Sequence, residues 1–466
     1  MEKLFFSKVE TWVVLVLAIV GLIGMIIFGS IVRHVAIGGD KLGSFGDGVY
    51  QISRVPDVVA AILRDEVGQR DFVAASTARS FPDETYETVS LFEDPELDDR
   101  PLLWRADALD AAPAAVMVRL NREQRDEHLL ILDGARNVVK HFPVTAPSLS
   151  GQFYSRTGNA APVMLDDGSV IVFAGGADGL YRKSLCGEVI WALPGLYHHS
   201  ISVADGVLGI LGLPKEELTA EDQGDERWNH SEIINLISVE SGAILKSIRL
   251  DDIAIANADR FDPFLRNRWY KQITEDGVLL QDEVHLNKVE ILPQSLADQY
   301  PDFPAGAVML SSRAINLVAI FDPETLEILW YSQGHTQGQH DPEFIGDNKI
   351  IVFDNAIDKN SADPAARANF TSIKQYDFST SEWSVVWNGA DVDGYTAHSG
   401  EVAISDDGSL LINLTLQGRY VEVSPDGEIV MDLINVADDG NVYWTKHAQY
   451  LTPSQFEIAR STSCKN

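Results

Sequence analysis

The sequence has little cysteine, little positive charge and no paired metal-ligand spacing, and each shortage excludes a class of protein. Two cysteines in 466 residues, Cys186 and Cys464, exclude a disulfide scaffold and the CxxC pairs of a structural zinc site. They leave room for one bridge or two inert thiols. Lys and Arg total 36 against 69 Asp and Glu, a formal charge of −33. Such a field repels a phosphate backbone, so no nucleic-acid partner is expected. The 45% hydrophobic and 9% aromatic content excludes a disordered chain and leaves ample material for a core.

Long apolar runs are also scarce, with one exception. From Thr11 to Val32, TWVVLVLAIVGLIGMIIFGSIV runs 22 residues without a charge. As a helix this segment is roughly 33 Å long, enough for a hydrocarbon core of about 30 Å. Residues 1–33 are therefore read as a transmembrane anchor, with membrane contact through 11–32. A cleaved signal peptide competes, but only Ala36-Ile37-Gly38 faintly resembles its cleavage site. Lys3 and Lys8 on one side face Arg33 and Lys41 on the other, and the orientation chosen puts the N-terminus in the cytoplasm. In a bacterium the helix then lies in the inner membrane and the acidic domain in the periplasm. An oxidising compartment permits, without requiring, a Cys186–Cys464 bridge.

Residues 34–103 read as a mixed extension. PDVVAAILRDEVGQ (56–69) has the spacing of a short amphipathic helix, and EDPELDDRP (93–101) is a solvated linker. From 104 to 452 the pattern changes to short β-rich runs punctuated by Asp-Gly at 133, 167, 178, 205, 276, 393, 407, 426 and 439, where hairpins of type I′ or close relatives want positive φ. The stretch 162–193 and the stretch 398–433 share one form: strand, Asp-Gly turn, strand, Gly, strand, turn, strand. Looser copies occupy 198–248, 283–332 and 340–389, and 114–142 supplies an early one. Four strands per unit is a propeller blade, and six units predict an all-β, six-bladed β-propeller. Asn441–Leu451 could add the closing strand to the first blade, removing the open edges. A β-sandwich pair is the competing fold. Residues 453–466 read as a tail.

Four of the eleven histidines fall at one phase of the repeat, at or just before a blade's first strand: His199, His285, His340 and His398. First strands line the channel of a propeller, so equal phase brings these side chains to one mouth. Taken singly, each imidazole is better explained as bonding its own loop; four in register favour a site. Clustered imidazoles can hold a metal, yet no HExxH occurs and no carboxylate recurs at a fixed offset. The alternative is group transfer, one imidazole attacking sulfur or phosphorus and a second protonating the leaving oxygen. That chemistry needs a cationic or donor-rich clamp. Asp391-Val392-Asp393-Gly394 imitates a calcium loop but lacks its closing Glu and reads as a turn.

TQGQHDPEFIGDNKIIVFDN (336–355), followed by HSGEVAISDDGSLLINLTLQGRYVEVSPDGEIV (398–430), resembles the arylsulfotransferase family of bacterial six-bladed propellers. The resemblance implies transfer of a sulfuryl group between phenolic compounds through a sulfo-histidine, with aryl sulfate and phenol as substrates and no cofactor. It implies that His398 is the nucleophile and that His340 is a second catalytic group, acid–base or sulfate-contacting. By the same resemblance His199 joins the sulfate pocket and Asn355 shapes the mouth. Blade phase adds His285. The family's arginine after FDN-Gly is missing, since AIDKNSADPAAR follows Asn355, which leaves Lys359 or Arg367 to hold the sulfate. The rival reading is a propeller without the reaction, an interaction or assembly subunit of a membrane complex. A quinone-cofactor dehydrogenase propeller ranks last.

Overall fold

The computed structural model describes residues 11–36, 45, 49, 101–106, 110–121, 126–144, 159–174, 179–214, 233–257, 271–273, 279–281, 284–357, 370–436 and 442–464. The chain divides into two compact units, Met1–Phe72 and Val73–Asn466. In the first, helix α1 (Thr11–Ala36) includes a span, Trp12–Ile31, of mean hydropathy 2.8. By length and composition α1 could cross a membrane. Its apolar side chains, among them Trp12, Leu17, Leu22 and Met25, are exposed, the pattern of a helix without a polar face. The helix expected at 56–69 lies outside the described residues, as do the linker expected at 93–101 up to its last residue, Pro101, and most of the 34–103 extension.

The second unit is a six-bladed β-propeller. In chain order its strands are β1 (Pro101–Arg105); β2 (Ala114–Asn121), β3 (Asp126–Leu132) and β4 (Val138–Pro143) of blade 1; β5 (Asn159–Met164), β6 (Val170–Ala174), β7 (Leu180–Lys183) and β8 (Val189–Leu193) of blade 2; and β9 (Gly195–Ala204), β10 (Val207–Pro214), β11 (Ile233–Ser238) and β12 (Ile244–Arg249) of blade 3. A separate hairpin, β13 (Lys271–Ile273) with β14 (Leu279–Gln281), precedes blade 4, built from β15 (Leu286–Ile291), β16 (Val308–Ser312), β17 (Leu317–Phe321) and β18 (Ile328–Gln333). Blade 5 comprises β19 (His340–Gly346), β20 (Lys349–Asp354), β21 (Ser372–Asp377) and β22 (Glu382–Asn388). Blade 6 comprises β23 (Glu401–Ile404), β24 (Leu410–Leu414), β25 (Arg419–Val423) and β26 (Ile429–Asn435).

Closure is double. Strand β27 (Ala448–Tyr450) pairs antiparallel with β2 as the inner strand of blade 1, while β1 pairs with β26 as the outer strand of blade 6. The strand pattern therefore begins at Pro101, three residues before the position at which β grammar becomes legible, because β1 carries no Asp-Gly turn to announce it. A buried ion pair bridges the same seam: Arg136 of blade 1 meets Glu422 of blade 6 through both its Nε (2.6 Å) and Nη2, and Tyr450 Oη donates to Glu422 at 2.9 Å.

The period-2 alternation of each strand explains how blades stack. Ile350 and Val352 face blade 4, whereas Ile351 and Phe353 face blade 6. Six apolar clusters result, one at each junction of consecutive blades, and the ring has no junction without one. The turns are of two kinds. Asp205 (φ 50°) and Gly206 (φ 76°) form a two-residue hairpin with both residues left-handed, as type I′ requires. Around Gly168 and Gly408 the Gly N–H instead donates to the residue three back, a type I turn closed by one left-handed glycine.

The tail is more ordered than its composition suggests. Thr452 caps helix α2 (Pro453–Ser461) reciprocally with Gln455, and Pro453 sits at the first helical position. Ala459 and Phe456 pack into the cluster between blades 1 and 2, and Cys464 is bonded to Cys186 in the β7–β8 turn. The bridge closes a loop 278 residues apart in sequence, so it removes on the order of 5 kcal/mol of unfolded-state entropy in the chain-entropy model.

Candidate functional site

Inner strands carry the candidate histidines to one end of the channel. His199 lies in β9, His285 just ahead of β15, His340 opens β19, and His398 precedes β23. The backbone at this level is left-handed at residues other than glycine: His199 (φ 65°), His285 (φ 48°), Asp341 (φ 47°) and Ser399 (φ 58°). Such conformations cost of order 1 kcal/mol or more each and persist where surrounding contacts dictate them. Here they fall at His199 and His285 themselves and at the residue after His340 and His398.

The rings meet. His199 and His285 stand edge to face with centroids 5.1 Å apart, and His198 packs against His199 at 4.7 Å. His340 lies close enough to His285 and His398 for each to disfavour its protonation. Burial first, then Arg313 and His285, push His398 down to about 4. Burial and its imidazole neighbours hold His199 well below the usual histidine range, and burial with Arg313 does the same for His340. At neutral pH these three are uncharged. Among the described residues no three His, Cys, Asp or Glu side chains are arranged to hold a metal ion.

Two of the sequence-expected site residues have structural work. His340 Nδ1 lies 2.7 Å from Asn355 Oδ1 and 3.1 Å from the Gly338 carbonyl, while Nε2 lies 3.1 Å from the Ser399 amide nitrogen. Two acceptors at Nδ1 and a backbone donor at Nε2 fix the tautomer with the proton on Nδ1. Asn355 Nδ2 donates to the carbonyls of Thr396 (2.9 Å) and Ser399 (2.8 Å). Thus the QHD and FDN segments clamp the loop 396–399 that presents His398. Gly400 (φ 115°) completes the bend, because a Cβ there would lie 2.3 Å from the Phe353 ring. His398 itself is held lightly: its Nδ1 is 3.4 Å from Ser399 Oγ, and its ring stands edge to face with Trp444 at 5.7 Å. Nothing else bonds its Nε2 among the described residues.

The cation of the site was not legible beforehand. Lys359 and Arg367 lie outside the described residues. Arg313, which follows β16, instead acts electrostatically on His199, His340 and His398, and its backbone N–H donates to the His285 carbonyl at 3.1 Å. Sequence reading passed over it because Ser312-Arg313 lies at the end of a second strand, not on a first strand. Asp391–Gly394 is indeed a turn, part of a 3-10 segment at Gly389–Val392.

The closed ring of six blades thus brings imidazoles from four consecutive blades to one mouth, beside Arg313. The family model described as Arylsulfotransferase (ASST) matches residues 161–436, more than half of the chain, and the chain belongs to that family. No curated protein matches it significantly in sequence. Among solved structures it is similar to a protein of unknown function from Bacteroides caccae, with 11% identity, 73% of this chain and 98% of that chain covered, and a TM-score of 0.42. It is similar also to a chain of the nidogen/laminin complex, with 8% identity, 73% and 98% covered and a TM-score of 0.43. A third is virginiamycin B lyase from Staphylococcus aureus, with 12% identity, 61% and 72% covered and a TM-score of 0.33.

Proposed function

We propose that this arylsulfotransferase-like propeller moves a sulfuryl group from an aryl sulfate to a phenol by way of a sulfo-histidine on His398. The observation that carries the reading is the convergence around Arg313 of uncharged imidazoles from blades 3, 5 and 6. A neutral imidazole keeps its nucleophilic lone pair, and Arg313 offers positive charge to the sulfuryl oxygens.

In the first half-reaction His398 Nε2 forms a bond to sulfur as the bond from sulfur to the phenolic oxygen breaks. The proton that His398 Nδ1 sheds passes through a neighbouring imidazole, a role this reading gives to His285, to the departing phenolate. In the second, the acceptor phenol returns a proton by the same route as its oxygen attacks sulfur and the N–S bond breaks. His340 and Asn355 hold the nucleophile's loop, and His199 lines the anion pocket beside His285.

Helix α1 and the Cys186–Cys464 bond support an anchored protein whose propeller lies in an oxidising compartment, the periplasm in a bacterium. Purified protein given a chromogenic aryl sulfate and a phenol acceptor should release the coloured phenol. His398→Ala should reduce the rate at least about 10³-fold while the fold is retained. With donor alone, the His398 peptide should gain the mass of one sulfuryl group. Silence of folded protein across several aryl sulfates would instead favour a non-catalytic interaction or assembly propeller.

A further inference from the structure

Trp444 is 38% exposed. Among the described residues, the other large apolar side chains that the propeller unit exposes lie elsewhere: Val189 and Ile190 on β8, Leu245 on β12, Tyr331 on β18, Val385 and Val386 on β22, and Ile255 on a short helix after blade 3. Trp444 alone among them stands at the histidine mouth, edge to face with His398.

Its exposure is enforced by its neighbours. Tyr443 N–H donates to the Asn435 carbonyl at 2.8 Å, Val442 bridges to Val436, and Thr445 is fully buried with its hydroxyl on Asn413. The backbone on both sides is thus pinned to blade 6 while one large indole projects between them. A tryptophan held rigid and half in solvent presents a flat apolar surface at low entropic cost to a partner ring.

We infer that Trp444 is the platform against which the aryl ring of the sulfate ester, and of the acceptor phenol in its turn, packs while the sulfuryl group sits at His398, so that Trp444 makes the site selective for aryl over alkyl sulfates. The inference rests on the sulfuryl-transfer reading and assigns it a specificity-determining residue. Ring packing of this kind is worth about a few-fold to tenfold in affinity.

The test separates binding from turnover by using aryl sulfonates, whose carbon–sulfur bond the site cannot transfer. Calorimetric titration of wild type with naphthalenesulfonate and with methanesulfonate should show the aryl ligand binding more tightly. Trp444→Ala should lose that advantage, about three- to tenfold, and leave methanesulfonate unchanged, whereas Trp444→Phe should keep most of it. In turnover, Trp444→Ala should raise KM for a chromogenic aryl sulfate by a similar factor with little change in kcat. An aryl preference that survives Trp444→Ala overturns the inference and leaves sulfuryl transfer standing. A wild-type protein that binds neither sulfonate removes the anion site, and both readings fall together. Thermal melts of each variant identify a folding defect, and Trp444→Phe then decides the question in a folded protein.

Discussion

The inner strands that carry the histidine mouth also carry, a few residues further along, a second buried cluster of ionisable groups, and the two are opposites. Lys288 Nζ lies 2.8 Å from Asp341, 2.5 Å from Glu343 and 3.5 Å from Glu290. Burial alone would lower its pKa, but these carboxylates outweigh burial and hold it well above the usual lysine range. Burial first, then Glu290, raises Glu343 well above the usual carboxylate range. Asp341 also accepts the Val402 amide at 2.8 Å, which ties blades 4, 5 and 6 together. In the knot one ammonium gathers three carboxylates. At the mouth, left-handed backbone occurs at or beside each of the four histidines, and among the described residues no hydrogen bond engages His398 Nε2. A cluster bonded within itself holds blades in place; one with an unengaged nitrogen is where a ligand can supply what is missing.

The contrast breaks most severely at Lys288. Lys288→Met strands Asp341, Glu343 and Glu290 in the channel without their cation, at a cost of about 3–5 kcal/mol read from urea midpoints. Glu343→Gln, which keeps the shape and leaves Asp341 and Glu290 on Lys288, should cost less than Lys288→Met. Next, Arg313→Ala should lower kcat/KM about 10²-fold, the scale of one lost anion-stabilising donor. Because Arg313 helps to depress His398, the same variant should move the acid limb of kcat/KM upwards from about 4 towards the free-imidazole value. A pH-rate profile that does not move would place Arg313 outside the site.

Stability should respond to pH at the mouth more than a surface histidine allows. Unfolded imidazole takes up a proton below about 6.5, whereas folded His398 stays neutral to about 4. Between those values the unfolded state binds more protons, so stability is complete above the upper value and declines as pH falls, by at most about 1.4 kcal/mol per pH unit for each such ring. Denaturant titrations from pH 7 to pH 4 on wild type and His398→Gln should differ by that slope. The smallest effect is expected at Asn355. Asn355→Ala frees the loop 396–399 from two carbonyl contacts and should cost about 1–2 kcal/mol in stability. It should lower kcat more than it raises KM, since the loop positions the nucleophile; an unchanged kcat would make Asn355 a purely structural residue.

Blade count, strand phase and the closing strand were readable because alternation of period 2 and Asp-Gly turns leave local marks. The paired positions His199 and His285 were readable for the same reason, since equal phase in consecutive blades puts side chains side by side. Helix α2 was missed although Thr452-Pro453 and Gln455 form a recognisable start, because the helix is only nine residues long. Lys288 and Glu290 were visible as alternate polar residues inside an apolar strand, but the sign of their partners comes from Asp341 and Glu343, 53 and 55 positions away. Arg313 and Trp444 carry no repeat signature.

By itself, the sequence determined one apolar segment long enough for a bilayer, six four-stranded units and four histidines in register, all of them consequences of spacing along the chain. What only the tertiary structure decided is which histidine is bound and which is open. His340 and Asn355 read as site residues in one dimension; in the folded ring His340 Nδ1 bonds Asn355 Oδ1 and the Gly338 carbonyl, while His340 Nε2 and Asn355 Nδ2 bond the loop that presents His398. Hydrogen-bond satisfaction is settled by neighbours from other blades, brought near by closure of the ring rather than by proximity in sequence.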